Sequence, residues 1–433
     1  MSVPNSTRRV LPARNVLGSL RLPGDKSISH RYAMLAALAS GTTRLRNFST
    51  GADPHSTLAC VEQLGARVAH EEDGVLAITG CAGHWQQPAA PLDCGNSGST
   101  MRMLAGLLAA QPLACTLIGD ASLSRRPMER VRQPLSAMGA QIELTEGHAP
   151  MTIHGAALQG MDFLTPIASA QVKSCLLFAG LQAQGVTTVH ESVRTRDHGE
   201  LALRAFGADI ARTHDSVSIH GGQTLHAIDA TVPGDLSSAA FFLCAAAIFP
   251  GSNLVLDGVG MNPTRAALLD VLHTLGVRIS VLQLGEHHGE LVGTVQATGP
   301  AYGLLGASIS GALSAQLIDE LPVLAAIAPY TQNGIQIRDA RELRVKESDR
   351  IALVAKNLRA MGATVTEHED GLDVPGGQKL HGAEIDPGDD HRIAMAFSVA
   401  ALRASGETLV HGAECAAISF PEFFGLLECV TER

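Results

Sequence analysis

With 433 residues, 45% of them hydrophobic and 17% charged, the chain has enough apolar material for a large core. Only 3% is aromatic, so Ala, Leu, Val and Ile must fill that core. The net charge of −10, from 32 Lys and Arg against 42 Asp and Glu, excludes a general nucleic-acid binder, which needs a basic surface. It leaves room for an anionic small molecule if cations are focused in one cleft.

The opening stretch MSVPNSTRRVLPARNV lacks the apolar centre of a signal peptide. From there a pattern comes round six times: an apolar helix, a short strand, then an amphipathic helix that closes on a turn. The first copy has KSISHRYAMLAALAS from Lys26, then TTRLRN, then VEQLGARV. The second has GSTMRMLAGLLAAQ from Gly98, CTLIGD and LSAMGAQI. SAQVKSCLLFAGLQAQ from Ser169, VTTVHES and LRAFGADI make the third. The fourth runs LSSAAFFLCAAAIF from Leu236, NLVLDGV and LHTLGVRI; the fifth DELPVLAAIA from Asp319, IQIRDA and LRAMGATV. The sixth, DHRIAMAFSVAALRA from Asp390 and ETLVHG, is cut short at FPEFFGLLECV.

Self-similarity at this spacing marks one supersecondary unit stacked on copies of itself. The first helix of each copy is apolar nearly all round, so it is predicted to be buried. Ser, Asp and Gly at the starts are N-cap chemistry, and Gly65, Gly139, Gly207, Gly276 and Gly362 are helix stops before strands. A strand from the N-terminal segment is expected to complete the truncated sixth copy and tie the chain ends together. Six repeats divide into two domains of three, predicted as 1–20 plus 231–433 and 21–230. The longest apolar run, Ala239 to Phe249, is too short to span a bilayer. The eight cysteines form no CxxC pair and read as reduced thiols of a cytoplasmic protein.

The unusual charges sit at helix starts. Lys26, Ser27 and Arg31 decorate the first turn and a half of a buried helix in GDKSISHR, and a helix N-terminus favours anions. The loop Gly95-Asn96-Ser97-Gly98 allows close approach of backbone to a ligand. Arg125-Arg126-Pro127 is predicted to open a helix with proline at its first position. Ser169-Ala170-Gln171 and Arg196-Asp197-His198 open two more. Asp319-Glu320 lies among apolar neighbours, Lys346-Glu347-Ser348-Asp349-Arg350 is predicted to open a helix, and Arg392 begins the last. Converging in one cleft, Lys26, Arg31, Arg126, Arg196, Lys346, Arg350 and Arg392 would match two anionic ligands, at least one phosphorylated. Asp319 and Glu347 supply acid/base capacity there.

LPGDKSISHR, GNSGSTMR, RPMERV, SAQVKS, TRDHGE, PGDLSSAA, KESDRI and DDHRIAMAF, spread from Leu20 to Phe424, resemble the 3-phosphoshikimate 1-carboxyvinyltransferase (EPSP synthase) family of enolpyruvyl transferases. The resemblance implies an α/β (α+β) fold: a two-domain inside-out α/β barrel of six βαβαββ-type repeats, three per domain, joined by a double-stranded hinge. It implies addition of the 5-hydroxyl of shikimate 3-phosphate to phosphoenolpyruvate, with loss of phosphate and no metal or organic cofactor. By motif, Lys26, Ser27, Arg31, Ser169, Ala170, Gln171, Arg196, Asp319 and Lys346 would hold shikimate 3-phosphate. Lys26, Gly98, Arg126, Gln171, Arg350 and Arg392 would hold phosphoenolpyruvate. Asp319, Glu347 and Lys26 would share the proton transfers.

Ala170 stands where many family members have a second serine, and Ile418 stands where the plant and enteric forms have a lysine near the C-terminus. These departures suggest a second, diverged branch; Gly98 nonetheless implies inhibition by glyphosate. A monomer with no nucleic-acid or membrane partner is expected. The alternatives are a UDP-N-acetylglucosamine enolpyruvyl transferase, and a non-catalytic or RNA-end-processing relative of the same repeat fold. The first uses a loop cysteine, and none lies between Gly119 and Arg132.

Overall fold

The structure is a computed structural model describing residues 6–433. The first five residues, part of the predicted domain segment 1–20 and of the stretch read as lacking a leader, lie outside the described residues. The chain divides into two units. One comprises the described residues up to Pro23 with Pro233–Gly285 and Leu291–Arg433; the other comprises Gly24–Val232 with the short segment Glu286–Glu290.

Each unit has its own hydrophobic core. In the second unit the core centres on helices Lys26–Leu38, Gly98–Leu108 and Ala170–Gly180. In the first it centres on Leu236–Ala247, Leu321–Ile327 and His391–Ala401. All twelve residues of Leu236–Ala247 are buried, as its unbroken apolar sequence demands. Strands such as Val186–Glu191 and Ser216–His220 alternate buried residues with half-buried or exposed ones, so one face of the sheet covers the helices. Small residues let the helices close up: a Cβ on Gly106 would come within 2.1 Å of the Cys175 carbonyl oxygen.

The repeat is visible in the sheets. Asp162–Thr165 pairs parallel with Val186–Glu191 across the helix Ala170–Gly180, and Val186–Glu191 pairs antiparallel with Ser216–His220, which pairs antiparallel with Ile210–Arg212. Leu92–Asp93, Ala114–Ile118, His148–His154 and Gln141–Thr145 repeat that order, as do Leu304–Ile309, Thr331–Ile337, Gly371–Val374 and Thr366–His368. The first repeat borrows its parallel strand from further along the chain, Asp229–Thr231 beside Thr42–Arg46. The fourth borrows Asn15–Arg21, parallel to Asn253–Gly260. In the sixth, Arg8–Val10 supplies the antiparallel neighbour of Thr408–Val410, and Thr431–Glu432 pairs with Asn15–Val16. The closing glycines Gly65, Gly139, Gly207, Gly276 and Gly362 all have positive φ, between 86° and 115°.

Side-chain caps sit where the sequence places them: Asp25, Ser97, Ser169, Asp235 and Asp390 each accept a bond from a backbone N–H in the first turn. Three predicted starts move. Arg126 is extended, as a residue before proline prefers, and the helix begins only at Glu129, so Pro127 is not its first residue. Lys346 and Glu347 precede their helix, which starts at Arg350 under an Asp349 cap. Asp319 lies in a turn, because the next helix starts at Leu321 with Pro322 in its first turn. No helix among the described residues is long and apolar enough to cross a membrane.

Candidate active site

The residues singled out in the sequence form two clusters, one in each unit. In the second unit, the helix starting at Lys26 is positioned by the Asp25 cap, whose carboxylate accepts from Ile28 N at 2.9 Å. Lys26 Nζ lies 2.5 Å from Asp53 Oδ2. One turn on, Arg31 donates from Nη1 to the Ser27 carbonyl at 2.8 Å and from Nη2 to Ser174 Oγ at 2.9 Å. It also reaches the Ala170 carbonyl at 3.5 Å, which ties the first repeat to the start of the third helix. Burial lowers the Arg31 pKa to about 10 against the opposing pull of Glu200 and Asp25, so the guanidinium stays charged at neutral pH. Arg196 is an electrostatic neighbour of Arg31 and pushes the same way as burial.

Gln171 joins the third repeat to the second. Its Nε2 donates to Ser99 Oγ at 2.9 Å, and its Oε1 accepts from Arg102 at 2.7 Å. Arg126 donates to Asn96 Oδ1 at 2.6 Å. A Cβ on Gly98 would stand 3.2 Å from Arg126 Nη1 and 3.4 Å from Arg102 Nη1. Two guanidiniums therefore crowd against a bare backbone at a helix N-terminus, which is an anion-binding arrangement. Lys26, Ser27, Arg31, Gly98, Arg126, Ser169, Ala170, Gln171 and Arg196 are linked in this way through three helix starts.

In the first unit, the turn before Leu321 presents Asp319 to three cations. Asp319 Oδ1 is 3.6 Å from Lys346, 3.5 Å from Arg350 and 3.9 Å from Arg392. Arg392 Nη1 also donates to the Asp319 carbonyl at 2.7 Å. Arg350, 1% exposed, is fixed by Asp390 at 2.8 Å and by Glu347 at 2.5 Å. This rules out an exposed salt-bridge run on a helix surface. Arg350 remains firmly protonated: burial opposes its charge, but Asp390, Glu347 and Asp319 together outweigh burial. Burial alone would raise Asp390, yet the Arg350 guanidinium wins and holds it below the usual carboxylate range.

Two residues of these clusters, Asp53 and Arg102, were not singled out in the sequence, and Glu320 was read there only as a neighbour of Asp319. Asp53 anchors Lys26 from 27 positions away, and Arg102 sits in a helix that reads as apolar core. Glu320, 4% exposed, accepts from Ser237 Oγ and lies 3.8 Å from Arg265 and 4.0 Å from Arg392. Arg102 and Glu320 show in the letters as a charge inside an apolar run, whereas Asp53, in GADPHS, has no such signal. Ile418 packs against the first unit's core.

Beneath the second-unit cluster runs a buried polar chain. His30 Nδ1 meets Thr57 Oγ1 at 2.7 Å, Thr57 meets Thr100 at 2.7 Å, and Thr100 donates to Ser97 Oγ at 2.8 Å. Burial, then Lys26 and Arg31, push the His30 pKa well below its ordinary 6.5. The fold thus refuses a proton that the unfolded chain accepts below pH 6.5, so stability falls as pH drops through that point, by about 1.4 kcal/mol per unit, until the folded value is reached. Chemical unfolding between pH 6.5 and 5 should show a shallower loss in His30→Gln than in the parent; equal slopes would refute it.

A family model described as EPSP synthase (3-phosphoshikimate 1-carboxyvinyltransferase) matches residues 10–427. The chain is 64% identical over 425 residues to the 3-phosphoshikimate 1-carboxyvinyltransferase of Koribacter versatilis, covering 98% of this chain and 99% of that protein. The chain belongs to the EPSP synthase family. A second EPSP synthase relative, the 3-phosphoshikimate 1-carboxyvinyltransferase of Solibacter usitatus, is 51% identical over 98% of this chain and all of that protein. Among solved structures, the EPSP synthase of Acinetobacter baumannii superposes with a TM-score of 0.86 at 41% identity, covering 98% of both chains. The enolpyruvyl transferase NikO of Streptomyces tendae, at 20% identity and a TM-score of 0.77, shares the fold. As a member of the EPSP synthase family the chain is a transferase, with the inside-out α/β architecture of that family.

Proposed function

We propose that this chain transfers the enolpyruvyl group of phosphoenolpyruvate to the 5-hydroxyl of shikimate 3-phosphate and that both clusters serve this one reaction. The observation that carries the reading is Asp319, a carboxylate held within 4 Å of Lys346, Arg350 and Arg392 beside a second carboxylate, Glu347. Addition to an enol ether needs one proton delivered to carbon and one removed from oxygen, and two carboxylates among cations suit both. Glu347 gives a proton to the methylene carbon. Asp319, with Lys346 near, takes the proton of the 5-hydroxyl as its oxygen bonds to C2. The resulting tetrahedral ketal loses inorganic phosphate and a methyl proton, which restores the double bond.

In the second unit, Lys26, Ser27, Arg31, Ser169, Ala170, Gln171 and Arg196 are assigned to shikimate 3-phosphate. Gly98 and Arg126, with Arg350 and Arg392 of the first unit and a share of Lys26 and Gln171, are assigned to phosphoenolpyruvate. None of these roles calls for a metal or an organic cofactor. The same reading makes the protein a glyphosate-sensitive, monomeric enzyme of the cytoplasm with no nucleic-acid partner, which the −10 charge supports.

The test is phosphate release from phosphoenolpyruvate with shikimate 3-phosphate as acceptor and UDP-N-acetylglucosamine as control. Release with the first alone is expected; release only with the second would replace the reading. Losing a guanidinium that grips an anion costs about 2 kcal/mol or more, so Arg126→Ala should raise the KM for phosphoenolpyruvate some ~30-fold. An unchanged KM would remove Arg126 from the site.

A further inference from the structure

Lys173 has no place in the chemistry above, yet its side chain is wholly buried. It lies on the first turn of the helix Ala170–Gly180, where its backbone N–H donates to the Ser169 carbonyl at 3.1 Å. Its ammonium lies 2.9 Å from Glu191 Oε2, 2.8 Å from Glu200 Oε1 and 3.5 Å from the Thr195 carbonyl. Glu191 ends a strand and Glu200 lies in the first turn of the next helix, so between them hangs the loop 192–197 that carries Arg196. Glu191 also accepts from Thr195 N at 3.0 Å and from the Thr195 hydroxyl. At the far side of the loop, Asp197 pairs with Arg212 at 2.9 Å.

One ammonium thus holds the residue before the loop, the residue next to Arg196 and the helix after it. It does so from the helix whose start carries Ser169, Ala170 and Gln171. Buried ion clusters add little to net stability compared with apolar packing, and what they contribute is a fixed arrangement of the elements they join. We propose that Lys173 is a positioning residue. It fixes the Arg196 loop against the Ser169–Gln171 helix start, so that both meet the phosphate of the acceptor in one geometry, and it does not itself touch the ligand. This inference rests on the assignment of Ser169–Gln171 and Arg196 to that phosphate.

The test is calorimetric titration of the full-length protein with shikimate 3-phosphate, together with both KM values, for four proteins: the parent, Lys173→Met, Arg196→Ala and their double variant. Lys173→Met should weaken shikimate 3-phosphate binding about tenfold or more, with the KM for phosphoenolpyruvate within about threefold. Because Lys173 acts through Arg196, adding Lys173→Met to Arg196→Ala should cost less than about twofold. Thr195→Val, which removes only the hydroxyl tie, should move affinity the same way by a smaller factor. If Lys173→Met does not fold, Lys173→Met/Glu200→Gln removes one charge of each sign and carries the same comparison.

Parent-like affinity in the Lys173 variant, or an equal loss in both backgrounds, overturns the proposal. Should Arg196→Ala itself bind like the parent, the phosphate assignment fails and takes the proposal with it. An impaired Arg196→Ala beside an unimpaired Lys173→Met sinks the positioning role alone.

Discussion

Asp319→Ala is expected to lower turnover by about 10²- to 10⁴-fold, the range for losing a positioned proton acceptor. The KM for phosphoenolpyruvate should stay level or fall. The reason is the charge around it. Lys346, Arg350 and Arg392 all lie within 4 Å of that carboxylate, so deleting it leaves cations less compensated and more attractive to anionic ligands. Steady-state kinetics separate the two effects, because an interaction made only in the transition state appears in kcat. A raised KM at constant kcat would recast Asp319 as a binding residue and remove it from the proton transfer.

Arg350→Met should be the most destabilising single change in the first unit, by about 3–5 kcal/mol. Arg350 is 1% exposed and Asp390 is 0% exposed, and the substitution leaves that carboxylate buried beside Glu347 without its guanidinium. The pH dependence gives a second signature. In the parent, Asp390 is held below its ordinary 3.8, so its contribution is present above that value and is lost as pH falls through the depressed one. In the variant burial has nothing opposing it from Arg350, so acid should relieve the charge and narrow the gap to the parent. Adding Asp390→Asn should recover part of the loss at neutral pH. Unfolding curves of Arg350→Met that match the parent, at pH 7 or in their trend towards pH 5, would show that the pair does not bear on stability.

Much of the fold was legible because periodicity is a local property. Apolar runs such as LSSAAFFLCAAAIF, caps such as Asp25 and Ser97, and the closing glycines each carry their own signal within a dozen residues. Cations such as Lys26, Arg350 and Arg392 could also be found, since a charge at the start of an apolar helix is conspicuous, whereas Arg102, inside such a helix, could not. What could not be read was partnership through space. Nothing in the letters joins Lys26 to Asp53, Arg31 to Ser174 or Lys173 to Glu191 and Glu200. Helix starts failed where backbone preference overrode pattern: at Arg126 before proline, and at Lys346 and Glu347, which stay outside the helix that Asp349 caps.

The borrowed strands set an order on biosynthesis. By the time Val232 has been made, the stretch Gly24–Val232 holds every strand of its three sheets, including the late Asp229–Thr231. The other unit has no such autonomy. Its sixth repeat joins Arg8–Val10 to Thr408–Val410, and Asn15–Arg21 takes Thr431–Glu432 on one side and Asn253–Gly260 on the other. Its earlier-made strands must wait for Thr408–Val410 and Thr431–Glu432 to leave the ribosome, and contacts separated by about 400 positions are the slowest kind to form. The polypeptide therefore emerges with one half able to condense early and the other open until those late strands are made, the interval in which a chaperone or a protease would meet it.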